Sequence, residues 1–410
     1  MSTRNTARSL RTRSFIRIST SLRPDGEAHS SEAISSTSHF TSKSDENISS
    51  RDGSARENPD GYSLQAPNVS AKENPYGYDL QASDDLYAWV KEATRIYSPD
   101  SWHLLMQYER LPDVSEARHI RNTILSMSRP AGTFHFLEGD NKTEMISSMS
   151  TNIHEISHGY YSKNVFRHAT EYNILLNTDN VTGFINLSPN ESYYIQFPRK
   201  SLFPSREIAA RIPRSLRSFR FNTYITGNNS TQPEGIFGLL NELHAYYLGS
   251  KFDFEILEGY KIAEGCAAKG FYQWVRHSQS SMTALFEFDF FILEYLLYMK
   301  SNYPQNYSSL MSYQPFHDAY AAVRMKYHDL VLKYFDKIQE EIQVNNSSSA
   351  AVFTTEGNTL WIQKSENGGQ TGTSFISNDM NTLLPVLKSN RYSEVEKDFL
   401  RCFPRKKCLQ

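Results

Sequence analysis

One segment of the chain has residue types and spacing suited to chemistry: Thr151-Asn152-Ile153-His154-Glu155-Ile156-Ser157-His158-Gly159. On a helix, positions four apart share a face, one turn above the other. His154 and His158 then each offer a ring nitrogen to one ion, at the ~2.0–2.1 Å of a zinc–imidazole bond. Glu155 stands one step round the helix, in reach of a water at that ion without being a ligand. Two imidazole ligands and a spare carboxylate to move a proton are the working parts of a zinc hydrolase.

The chemistry requires a helix, and the flanking residues predict one. Asn141-Lys142-Thr143-Glu144 reads as a capping box, with Asn141 as N-cap and Glu144 reaching back. Met145, Met149, Ile153, Ile156 and Tyr160 recur at steps of three and four. No Pro or Gly intervenes before Gly159, and the helix is expected to end near Tyr161. The bland alternative is a surface helix with two satisfied histidines.

A catalytic zinc takes three protein ligands, so one more must come from elsewhere. Asn164 occupies the position six residues after His158, where a third His would extend the motif. His168 falls past the expected helix end. The better candidate is remote. Gly235 to Tyr247 reads as a helix after Pro233, with Glu242 among apolar neighbours. A carboxylate so placed needs a partner, and a metal is one; the alternative is a Glu on the solvated edge of an amphipathic helix.

His-Glu-x-x-His followed by Asn241-Glu242-Leu243-His244-Ala245 resembles the gluzincin zinc metallopeptidases, the thermolysin-like group, over these two segments alone. The resemblance implies that His154, His158 and Glu242 hold Zn²⁺ and that Glu155 is the general base. The family commonly has an Asp four residues after the ligand Glu, where it orients a ligand His; this chain has Tyr246. The 84 positions between His158 and Glu242 imply an inserted sheet or subdomain. An oxyanion also needs a donor besides the metal. Tyr224, Tyr246, His244 and His168 are the candidates, with Tyr246 on the face of Glu242 and His244 turned away from it. Tyr224 is expected on a strand, Phe219 to Ile225.

The elements that must position these residues come next. With 410 residues, 39% hydrophobic and rich in Tyr (25) and Phe (24), the chain can bury a substantial core. A formal net charge of −2 gives no reason to expect nucleic acid or another strongly anionic partner overall. Cys266, Cys402 and Cys408 are too few for a disulfide framework. No run of eighteen apolar residues suggests a membrane span. Leu285 to Met299 comes nearest, but Glu287, Asp289 and Glu294 make it a buried helix. Glu287 and Glu294 share a face and either orient a ligand His or form a solvated acidic edge.

Residues 1–82 read as a disordered leader, poor in aliphatics. It opens with six arginines before the first acid, Asp25, and lacks a secretory apolar stretch. That pattern fits a transit segment, a basic arm or residues upstream of the true start. A sixteen-residue repeat follows, Glu57 to Ala66 recurring as Glu73 to Ala82. Order is expected from Ser83 as an N-cap, with helices to Pro99, over 101–110 and over 115–127. A short strand, Thr133 to Leu137, is placed beside the metal helix, where the family resemblance implies an edge for extended substrate. Short strands over 173–176, 183–187 and 192–197 and a short helix over 208–212 fill the insert. A long amphipathic helix, Phe316 to Gln343, leads through a linker at 345–349 to a hairpin around Leu360–Gln363 and two short helices.

The fold expected is therefore α+β: a mostly helical zincin-like domain over 83–345, with a small β-rich insert between its two ligand helices, and a C-terminal cap and tail over 346–410. The function expected is zinc-dependent cleavage of peptide bonds in a peptide or protein substrate. Two other readings stay open: a peptidase-like binding protein without turnover, and a metal-free helical module in which the histidine pair is incidental.

Overall fold

A computed structural model describes residues 85–188, 190–347, 352–363 and 370–400. The leader, its repeat, the proposed cap Ser83, Cys402, Cys408 and the basic ending lie outside the described residues. In order, the elements are α1 (Leu86–Tyr97), α2 (Pro99–Glu109), β1 (Val114–Arg118), β2 (Ile124–Ser128), α3 (Lys142–Glu171), β3 (Asn180–Ser188) and β4 (Glu191–Pro198). After a run of short 3-10 turns come α4 (Thr231–Glu234), α5 (Ile236–Glu255), α6 (Leu257–Ala263), α7 (Ala267–Asn302), α8 (Pro304–Met311) and α9 (Gln314–Ser347). The described part closes with β5 (Val352–Glu356), β6 (Thr359–Gln363), β7 (Gln370–Ser374), α10 (Asn378–Leu387) and α11 (Ser393–Leu400). The architecture is mostly helical, with small antiparallel sheets β1–β2, β3–β4 and β5–β6–β7. No described helix is long and apolar enough to cross a membrane.

Helix starts follow the capping residues. Asp85 caps α1, accepting from the backbone N–H of Tyr87 and Ala88. Asn141 caps α3, accepting from Glu144 N–H at 3.0 Å, while the Glu144 carboxylate accepts from Asp140 N–H at 2.8 Å. The reciprocal pair is thus present, reaching one residue further back than the usual box. α3 does not stop near Tyr161; it runs to Glu171 and takes in His168. Gly159 survives inside it for packing reasons. A Cβ there would stand 2.9 Å from the Tyr108 hydroxyl, so only glycine lets that ring lie across the helix.

Several other expected elements take a different form. Residues 115–127 form the hairpin β1–β2, in which Ser115 faces Met127. Helix formers in the first half hid a period of two, and Asn122 in the left-handed region (φ 57°) closes the turn. Thr133 to Leu137 is a pair of turns, with His135 N–H on Gly132 O and Leu137 N–H on Phe134 O. The buried Asn152 of α3 fixes it by donating to Thr133 O and accepting from Phe136 N–H, so no strand edge stands there. Phe219 to Ile225 is not a strand; Asn222–Thr226 is a π-helical turn whose Tyr224 carbonyl accepts from Ser205 and Thr231 hydroxyls. Such turns are sites where a helix re-aims side chains. In the 173–176 stretch the pairing reduces to a bridge between Leu176 and His119.

A small cluster of Ala117, Val165, Ala169, Leu176 and Phe184 stands apart from the main core, which is one continuous apolar cluster. The main core joins Trp89 of α1, Met149 and Ile153 of α3, Leu239 and Leu243 of α5, Phe288 and Ile292 of α7, and Val323 of α9. Phe353, Leu360, Leu383 and Tyr392 from the C-terminal segment belong to the same cluster. α9 extends into the expected linker as far as Ser347, and Asn346 exchanges hydrogen bonds with the backbone of Phe353 in β5. The stretch 282–296 of α7 is buried on every side, as a helix passing through the middle of a core must be. Its acids neither orient a histidine ligand nor face water. Glu287 pairs with Arg220, Asp289 with Arg324 at 2.8 Å, and Glu294 with Arg391 at 2.6 Å.

Candidate metal centre

The site is built where α3 and α5 cross. Ser150, His154 and His158 rise four apart along α3 and share one face. Glu242, Tyr246 and Gly249, spaced four and three apart, share a face of α5. Ser150 donates to Gly249 O at 3.3 Å, which seats the two helices against each other. A Cβ at Gly249 would lie 3.2 Å from the Ser150 carbonyl and 3.7 Å from the His154 Cβ, so a small residue here sets how closely Glu242 approaches the histidines. The turn into α5 is set by Gly235, at φ 54°; a side chain there would meet the Tyr295 hydroxyl at 2.4 Å.

The three expected ligands converge. His154 Nε2 lies 3.2 Å from His158 Nε2 and 3.6 Å from Glu242 Oε2, and His158 Nε2 lies 3.4 Å from the same oxygen. Ligands placed tetrahedrally at zinc bond lengths stand about 3.3–3.4 Å apart, so the triangle has the size a zinc would require. They form a group of metal-ligating side chains able to hold one ion. The chemistry of the atoms fits as well. Glu242 Oε2 is buried and accepts no hydrogen bond, and His154 Nδ1 and Asn241 Oδ1 are likewise buried and unpartnered. A buried carboxylate oxygen left bare costs free energy unless something positive meets it.

Side-chain exposure rises from Glu242 (8%) and His154 (10%) to His158 (24%) and Glu155 (41%), so the site opens on the Glu155 side. Glu155 Oε1 is 3.8 Å from His154 Nε2, near the three donors but outside their triangle. Burial pushes the Glu155 carboxyl above its ordinary range; His158 opposes that and Glu242 reinforces it. Burial, with His158 and Arg220 nearby, holds His154 well below the usual imidazole value, which keeps it neutral and able to act as a ligand. Burial pulls His158 down too, but the Glu242 carboxylate overcomes it and raises His158 to about 9.

Both tyrosines named from the sequence reach the centre. The Tyr246 ring packs edge-on against His154, with centroids 4.3 Å apart. Its hydroxyl meets that of Tyr224 at 3.1 Å. Burial, with Glu242 and Tyr246 close by, pushes the Tyr224 hydroxyl far above its ordinary value, so it remains a proton donor. What stands behind them is a pair that no motif announces. The Arg220 guanidinium lies 4.4 Å from the Tyr246 ring centre and pairs with fully buried Glu287 of α7. Glu287 also accepts from Arg220 N–H at 3.0 Å. Arg220 and Glu287 are 67 positions apart, and no local pattern announces such a pair.

The remaining candidates lie elsewhere. His168, ten residues beyond His158 on α3, is about 15 Å further along the axis and packs against Tyr172 and Tyr194. His244 is buried and bonds Asn186 O at 2.8 Å through Nε2, away from the triangle. Asn164 donates to Tyr160 O within the helix. Searches against models of protein families, curated proteins and solved structures found no match to this chain.

Proposed function

We propose that the protein is a zinc-dependent hydrolase that cleaves peptide bonds, built on a zincin-like arrangement similar to that of the gluzincins. The observation that carries this reading is the convergence of His154, His158 and Glu242 from two helices, with a bare buried carboxylate oxygen facing two imidazoles. His154, His158 and Glu242 would hold the ion. Bound zinc supplies Lewis acidity, polarising a carbonyl and making water a usable nucleophile at neutral pH.

The chain's own residues have separable tasks. Glu155, on the open side and with its carboxyl raised, takes the proton of the attacking water and returns it to the leaving amine. The hydroxyl pair of Tyr224 and Tyr246 shares one hydrogen bond, which leaves one hydroxyl proton free for the oxyanion. Arg220, clamped by Glu287, fixes the Tyr246 ring against His154 and adds positive potential on that side. The π-turn serves by aiming Tyr224 inward from a short loop.

The test pairs metal content with turnover. Purified protein should carry zinc, and Glu155→Gln should keep both zinc and fold while losing cleavage of a mixed peptide pool. Cleavage that persists in Glu155→Gln removes the assigned base.

A further inference from the structure

Between β4 and the π-turn, the stretch from Arg199 to Arg220 holds seven cations and one carboxylate, in a chain whose net charge is −2. The lone acid, Glu207, is taken by the hydroxyls of Tyr303 at 2.9 Å and Tyr298 at 3.5 Å. Arg220 alone has an ion-pair partner among the described residues, at the buried end. Arg206, Arg211 and Arg217 rest on neutral groups that leave their charge uncancelled. Arg206 donates to the Gln232 and Asn228 side chains, and Arg217 to the carbonyls of Ile212 and Ala209. Arg211 lies over the Tyr298 ring. Lys200, Arg206, Arg214 and Arg217 are exposed.

One end of this stretch abuts the metal centre, and the other lies within electrostatic reach of it. At one end Arg220 stacks on Tyr246, and Tyr224 follows four residues later. At the other, Arg199 donates to Pro233 O at 2.8 Å beside Glu234, whose carboxyl is pushed up by burial and feels Arg199, His158 and Glu242. Phe219, 80% exposed, stands next to Arg220 and offers an apolar contact at the inner end. The Phe219 N–H donates to Asp379 of α10 at 2.9 Å.

We propose that this cationic rim selects acidic polypeptide segments and delivers them to the centre between α3 and α5. The proposal rests on the hydrolytic reading and names its substrate class: chains with Asp or Glu flanking the bond to be cut. A peptide is the occupant because the chemistry at the rim's inner end is that of amide hydrolysis.

The experiment offers the full chain two quenched fluorescent peptides, one with Asp and Glu on both sides of an apolar pair and its Asn/Gln counterpart. The acidic peptide should be cleaved with a kcat/KM about tenfold higher, since several surface ion pairs each contribute modestly. Lys200→Glu with Arg214→Glu should remove that preference and leave the neutral peptide unaffected. Added salt should erode it in the unaltered protein, which guards against a misfolded variant. Equal rates on both peptides, or a preference untouched by the charge reversal, overturn the rim and leave the hydrolase standing. A charge-dependent complex between the Glu155→Gln chain and the acidic peptide, measured by fluorescence anisotropy, supports the rim. If the unaltered protein binds that peptide but never cuts it, the rim holds and the hydrolytic reading falls. Tighter binding of a single-stranded oligonucleotide than of the acidic peptide overturns the choice of occupant.

Discussion

Two kinds of buried carboxylate stand within one molecule. On α7, Glu287, Asp289 and Glu294 are each met by an arginine, from the loop before α4, from α9 and from the C-terminal segment respectively. On α5, Glu242 is also buried, yet among the described residues no guanidinium or ammonium is paired with it, and its Oε2 stands 3.4 and 3.6 Å from two imidazole nitrogens. The α7 acids are complete as they stand: each joins a distant segment to the central helix, and neutralisation is built in. The α5 acid is incomplete. Once His158 gives up its proton, a carboxylate oxygen and two imidazole nitrogens present three lone pairs to one point, and a divalent cation would meet all of them at once.

Substitutions on the two sides should therefore differ in cost. The largest effect is expected at Glu155, which belongs to neither group of buried acids. Glu155→Gln should lower kcat by about 10²–10⁴-fold at unchanged zinc content, measured by initial rates and elemental analysis. Next comes the α7 pair. Glu287→Ala strands Arg220 in the core and should cost about 3–5 kcal/mol in urea unfolding. Glu242→Gln should cost less metal-free stability than Glu287→Ala, because Glu242 is met by imidazoles at 3.4–3.6 Å rather than by a guanidinium. A large loss of metal-free stability in Glu242→Gln would erase the contrast.

A smaller effect sharpens the helix crossing. Gly249→Val places branched carbons against the Ser150 carbonyl and the His154 Cβ. Overpacking of this kind costs about 1–3 kcal/mol, and here it should also weaken zinc binding by displacing Glu242. If the unfolding midpoint falls while zinc affinity stays constant, the crossing does not set the triangle.

The smallest effect concerns a third arrangement. Asp253 of α5 is fully buried, and His277 Nε2 stands 3.1 Å from its Oδ1. Burial works against the charged imidazole, but Asp253 prevails and holds His277 above its ordinary 6.5. A raised folded value means the pair stabilises fully below pH 6.5 and loses that contribution as pH climbs through the folded value. The change should be at most ~1 kcal/mol, seen as a falling unfolding midpoint above pH 6.5. His277→Gln should flatten that slope.

What could be read from the sequence divides along similar lines. His154, His158 and Glu242 were legible because each sits in a short motif whose spacing is the helix repeat. The N-cap Asn141, the apolar α7 and the long α9 were legible by periodicity. The hairpin at 114–128 was not, because Glu116, Ala117 and Arg118 favour helix locally. Tertiary contacts overrule them: Thr170 of α3 donates to Glu116 O, and Lys163 donates to Asp113 O. The π-turn at Tyr224 imitates strand alternation. The Arg220–Glu287 clamp depends on a contact between distant segments, which no window of sequence contains.

The most direct measurement is zinc stoichiometry after exhaustive dialysis, with the unaltered chain beside His154→Ala, His158→Ala and Glu242→Ala. The account predicts about one zinc per unaltered chain and almost none in each variant, all four retaining the same helical circular dichroism. Equal metal content in all four, or none in the unaltered chain after zinc is supplied, would contradict it.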